Sequence, residues 1–132
     1  MSERLRSEPI ELKMEVETHD DTLGFKLFES PDRVSYGQIK IICDEVSIRA
    51  EGGRNFEALD FPSILYVTAF FGKNVVLPIA VSLFSSYLYD KLKERKDNKL
   101  RINGTQVEIN AEKIEQLILI ILKQEKEKEE KS

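Results

Sequence analysis

The sequence predicts a single α+β domain, and three observations carry that expectation. An alternating apolar run stands near the N-terminus, an Asn-Gly pair separates two short alternating stretches, and apolar residues recur at helical spacing near the C-terminus. A chain of 132 residues is one domain's worth, expected to span 1–132 with a loose arm over 1–9. Hydrophobic residues make up 41% and charged residues 33%, enough apolar material to fold despite the charge.

The first strand is expected from Ile10, Leu12, Met14 and Val16 alternating with Glu11, Lys13, Glu15 and Glu17. His19-Asp20-Asp21-Thr22 reads as a turn, and Leu23 to Phe28 as either a strand or a single helical turn before Ser30-Pro31. Ile39, Ile41 and Cys43 then share one face, but Val46, Ile48 and Ala50 follow with shifted parity. A tight turn or bulge at Asp44-Glu45 would return both sets to the core. Gly52-Gly53-Arg54-Asn55 is expected to be a loop, which makes 10–51 a region of mostly antiparallel strands.

A helical hairpin is expected over 60–96. Asp60 is placed to cap its first helix, Pro62 fits a first turn, and the apolar run ends at Phe71-Gly72. The second helix begins near Pro78 and runs into Lys93-Glu94-Arg95-Lys96, cations suited to a helix C-terminus. Asn103-Gly104 is the preferred pair for a type I′ turn, which sets Ile102 against Thr105, Leu100 against Val107 and Lys99 against Glu108. Asn110 caps a last helix carrying Ile114, Leu117, Ile118, Ile121 and Leu122, and 124–132 forms a charged, frayed helical tail.

No catalytic residue, metal ligand or cofactor is assigned, and the protein is expected not to be an enzyme. His19-Asp20-Asp21 reads as a turn closed by Asx side chains. Cys43 reads as a small buried hydrophobe in a strand. One histidine and one cysteine leave little from which to build a Ser/His or Cys/His site. A net charge of −4 provides no broad positive field for nucleic acid, and Lys91, Lys93, Arg95, Lys96, Lys99 and Arg101 are interleaved with Asp90, Glu94 and Asp97. The single cysteine and the polar N-terminus point to the cytoplasm.

What remains is the apolar helical pair. Its residues Phe61, Leu65, Phe70, Phe71, Leu83, Phe84 and Tyr87 are the candidate interface, because helices apolar nearly all round need more cover than a small domain supplies. The expected function is that of an interaction or adaptor protein, using that surface in a homo-oligomer or a protein complex. The alternative is a membrane-associated protein using 61–89, although a helical span needs about 20 apolar residues. A small enzyme or a nucleic-acid-binding module comes third.

The order from Val76 to about Leu122 adds a resemblance. An apolar helix ending Ser86-Tyr87-Leu88-Tyr89-Asp90-Lys91-Leu92, a basic stretch, the Ile102-to-Ile109 hairpin and a closing helix follow one another. This arrangement resembles that of the small accessory proteins of bacterial conflict systems called effector-associated constant components. The resemblance implies a non-enzymatic adaptor that joins an effector to a larger partner.

Overall fold

The computed structural model describes residues 9–31, 34–54, 62–72 and 77–131. They form β1 (Ile10–Thr18), α1 (Leu23–Phe28), β2 (Ile39–Cys43), β3 (Val46–Arg54), β4 (Ser63–Phe71), α2 (Leu77–Leu92), β5 (Lys99–Ile102), β6 (Thr105–Val107) and α3 (Ala111–Lys131). The strands make one six-stranded sheet in the order β2-β3-β4-β1-β5-β6, every neighbouring pair antiparallel. The fold class is therefore α+β, as the patterning implied. The first-strand alternation is realised directly: Ile10, Leu12, Met14 and Val16 are buried, and Glu11, Lys13, Glu15 and Glu17 face outward.

The expected first helix of the hairpin is instead strand β4. Periodicity cannot separate a buried strand from a buried helix, and length and residue type must arbitrate. Here Pro62 and Gly72 bound a nine-residue run rich in β-branched and aromatic residues, which suits a strand held between two others. β4 lies between β3 and β1, pairing Val67 with both Ala50 and Met14. The Asp60 cap and Phe61 lie outside the described residues. The helical hairpin on which the membrane reading of 61–89 was built is therefore not formed. Among the described residues no helix is long and apolar enough to cross a membrane.

The Asp44-Glu45 turn forms, with Asp44 at a positive φ of 29°, and the Val46, Ile48 and Ala50 set is buried. The Ile39 and Ile41 set is not. A two-residue turn alone would place Ile41 opposite Ile48, but a bulge between Ile41 and Cys43 moves the register by one residue. Ile41 then opposes Ser47 and Ile39 opposes Arg49. A one-residue slip exchanges the faces of a strand, so both isoleucines point away from the core.

A second irregularity corrects the loop expected at 52–55. β3 continues through Gly52 and Gly53 to Arg54, with a register shift between Ala50 and Gly53. Gly52 takes a φ of 100°, which an L side chain rarely adopts. Gly53 allows close strand approach, since a Cβ there would lie 2.6 Å from the Ile64 carbonyl oxygen.

The helices cover one face of the sheet. α2 turns Ala80, Val81, Phe84, Leu88 and Leu92 inward, α3 contributes Ile114, Ile118 and Leu122, and α1 contributes Leu23, Leu27 and Phe28. These join the inward residues of β1, β3, β4 and β5 in one core. Phe71 and Phe84 meet edge to face across the layers, with ring centroids 5.4 Å apart. α1 ends on Glu29 in the left-handed conformation, and its carboxylate reaches Lys40 Nζ of β2 at 2.8 Å and Lys91 Nζ of α2 at 3.1 Å. Those two lysines, Lys40 foremost, hold the Glu29 carboxyl below its usual range.

The Asn-Gly hairpin follows the expected register as far as Leu100–Val107, with positive φ at both turn residues, although the ladder stops before Lys99 and Glu108. Asn103 also bonds to β1. Its backbone N–H donates to the Lys13 carbonyl at 2.7 Å, and its Oδ1 accepts from the Lys13 N–H at 2.8 Å. Asn110 caps α3 by accepting from the Lys113 N–H at 3.0 Å. α3 continues helical through the charged tail to Lys131.

Candidate interaction surface

The sheet face opposite the helices is assembled by strand alternation. Each inward residue of β1, β3 and β4 leaves a neighbour pointing outward. On this face the pairing aligns Ile41 of β2, Ser47 of β3, Phe70 of β4 and Glu11 of β1 in one row. The next row holds Ile39, Arg49, Thr68 and Lys13, and further along β4 come Tyr66 and Ile64. Ile39 is 60% exposed and Ile41 65%, both on an edge strand. Tyr66, Ile64 and Phe70 are half-buried.

Both signs of charge stand on this face among the described residues. Glu11, Glu15, Glu17 and Glu51 stand beside Lys13, Arg49, Lys99 and Arg101. Arg49 lies over the Phe70 ring, 4.8 Å from its centroid, and bonds Glu51 through Nε at 2.8 Å. The Glu51 carboxyl is held below its usual range, first by the adjacent Thr68 hydroxyl and then by Arg49. That hydroxyl is buried and makes no well-formed hydrogen bond among the described residues, so the short Arg49 contact is the firmer clamp. Arg101 lies between Glu15 at 3.7 Å and Glu17 at 3.6 Å.

The candidate interface residues read from the sequence do not come together on one surface. Phe71 and Phe84 are fully buried core residues, so they are removed from the set. Burial follows from the helix period: Phe84 shares its face with Val81 and Leu88, whereas Leu83 turns outward with Ile79. Leu83 is 52% exposed on the helical side of the molecule, opposite Phe70 on the sheet. Tyr87 is half-buried, and its hydroxyl donates to the Leu27 carbonyl, anchoring α1 to α2. Burial foremost, then Glu29, pushes that phenol's pKa up. Leu65 packs against the core and lines a cleft of about 320 Å³ with Tyr36, Gly52 and Asp20. Phe61 lies outside the described residues.

Sequence reasoning missed Ile39 and Ile41. The signal available was Arg49, whose cross-strand position demands an outward neighbour, but reading it requires knowing the bulge. The turn read at His19-Asp20-Asp21-Thr22 is present. Asp20 Oδ1 accepts from the Thr22 N–H at 2.9 Å and from its hydroxyl at 2.7 Å, and His19 Nδ1 lies 3.0 Å from Asp97 Oδ2. Cys43 is half-buried, and its thiol pKa is raised by burial and by Asp44, which disfavours the nucleophilic thiolate. Among the described residues no three His, Cys, Asp or Glu side chains converge to hold a metal. Comparison with known protein families, with curated proteins and with solved structures finds no match for this chain.

Proposed function

We propose that this protein is a non-enzymatic interaction module of the cytoplasm that pairs with a second copy of itself through the helix-free face of its sheet. The observation carrying this reading is the exposure of Ile39 and Ile41 on edge strand β2, continuous through β3 with Phe70. Carboxylates and cations are mixed on this face among the described residues, so two copies can meet there without one sign of charge opposing itself throughout, which favours a copy as the occupant. Burying one isoleucine side chain fully is worth roughly 1.5–3 kcal/mol, and more than half of that remains available at each of these two positions. Four such side chains across a symmetric contact supply several kcal/mol toward the cost of association. The adaptor role implied by the family resemblance adds a second partner to such a dimer.

Sedimentation velocity over a micromolar concentration series tests the proposal. The expected result is a monomer–dimer equilibrium that the Ile39→Lys/Ile41→Lys variant shifts to monomer, with its circular dichroism and thermal midpoint unchanged. A wild-type chain that stays monomeric throughout, or a variant that dimerises equally well, overturns it.

A further inference from the structure

β2 is a terminal strand of the sheet, with β3 on one side and no strand on the other among the described residues. Its hydrogen-bond parity is fixed where the strand begins. The Gly37 N–H donates to the Ala50 carbonyl at 2.7 Å and the Ala50 N–H to the Gln38 carbonyl at 2.9 Å, so Gln38 bonds toward β3. Successive pairs of an antiparallel ladder alternate between bonded and non-bonded. In the register Ile39–Arg49, Lys40–Ile48 and Ile41–Ser47, Lys40 therefore bonds toward β3, whereas the N–H and C=O groups of Ile39 and Ile41 point to the open edge. Both isoleucines are more than half exposed, so that edge is accessible.

Lys40 decides what the edge accepts. Alternation turns its side chain to the helical side of the sheet, opposite to Ile39 and Ile41, where Nζ lies 2.8 Å from the Glu29 carboxylate. Lys91 lies 3.1 Å from the same carboxylate, so one negative charge stands between two cations. A strand added antiparallel meets Lys40 in a non-bonded pair, the closer of the two cross-strand spacings. In the register that would set Ile39 against Ile41 of a second copy, Lys40 would oppose its own counterpart, and like charges directly opposite repel. An inward-pointing charge on an edge strand guards it against pairing with itself. The same lysine attracts a strand that carries a carboxylate at that position.

We propose that the β2 edge binds an extended segment of a partner protein by antiparallel strand addition, the segment carrying Asp or Glu opposite Lys40 and β-branched residues on either side. The added strand takes the outward N–H and C=O groups of Ile39 and Ile41, which lie in the plane of the sheet, and leaves their side chains to the face on which two copies meet. Backbone bonds supply affinity for any strand, and the pairing with Lys40 supplies the selection among them.

Titration of the isotope-labelled full chain with the capped peptide Thr-Thr-Val-Glu-Val-Thr-Thr, followed by nuclear magnetic resonance, tests it, with the same peptide carrying Lys for Glu as the control. The Glu peptide should bind at least about tenfold more tightly than the Lys peptide, and should slow hydrogen exchange at the Ile39 and Ile41 amides. Lys40→Thr should bring the two affinities within about twofold of each other. Glu29 keeps Lys91 in that variant, so its thermal midpoint should be unchanged. No binding of the Glu peptide at millimolar concentration, equal affinity for the two peptides, unprotected Ile39 and Ile41 amides in the complex, or a preference that survives Lys40→Thr overturns the proposal.

Discussion

Phe84 and Leu83 are consecutive residues of α2, yet the fold assigns them opposite fates, and a pair of alanine substitutions measures the difference. Phe84 is fully buried and meets Phe71 edge to face, so Phe84→Ala loses the transfer free energy of the ring and leaves a void between the sheet and α2. Truncations of this kind cost about 3–5 kcal/mol, of which the aromatic pair accounts for roughly 0.5–1.5 kcal/mol. The void cannot close readily, because residues from β4, β1 and α3 belong to the same core and are held by their own elements. Against a total stability of about 5–15 kcal/mol, the loss should lower the thermal midpoint by about 10–20 °C. Leu83→Ala removes a side chain that is already half in water, and should cost less than about 1 kcal/mol. Urea denaturation of both variants followed by circular dichroism is the assay. Equal losses for the two, or a larger loss for Leu83→Ala, would refute the assignment of the inward face of α2.

Two further outcomes follow from local geometry and charge. Gly104→Val places a β-branched side chain at a φ of 85° and should cost about 1–3 kcal/mol by chemical denaturation; an unchanged midpoint would show that the turn does not need the left-handed conformation. The Asp20 carboxyl is lowered to about 2, mainly by the Thr22 hydroxyl and with help from Lys26. Because the folded value lies below the unfolded one, the unfolded state binds the proton more readily. Asp20 therefore adds stability that is fully present above about pH 4 and is lost as the pH falls through about 2. Asp20→Asn should flatten stability against pH in that window, as followed by urea midpoints; an unaltered slope would mean that the turn does not hold the carboxylate.

Some elements were legible because one local rule decided them. The alternation from Ile10 to Val16 admits one buried face, Asn103-Gly104 meets the backbone demand of its turn, and Asn110 precedes a run with helical period. Other elements had two local solutions of similar quality. The run from Ser63 to Phe71 suits a buried helix as well as a central strand, and only its pairing with β3 and β1 settles the choice. The interface residues drawn from that run inherited the ambiguity, which is why Phe71 proved to be core and Phe70 to face outward.

The sequence by itself determined the α+β class, the first strand, the β5–β6 hairpin and the cap of α3, because each depends on side-chain period or on the backbone preference of one or two residues. Tertiary structure decided which way Ile39 and Ile41 face, and it joined Asp20, Tyr36, Gly52 and Leu65 in one cleft. The physical reason is that a single bulged residue reverses the faces of a strand, and that a cleft depends on the angle at which neighbouring elements pack. Neither leaves a period or a spacing in the sequence from which it could be read.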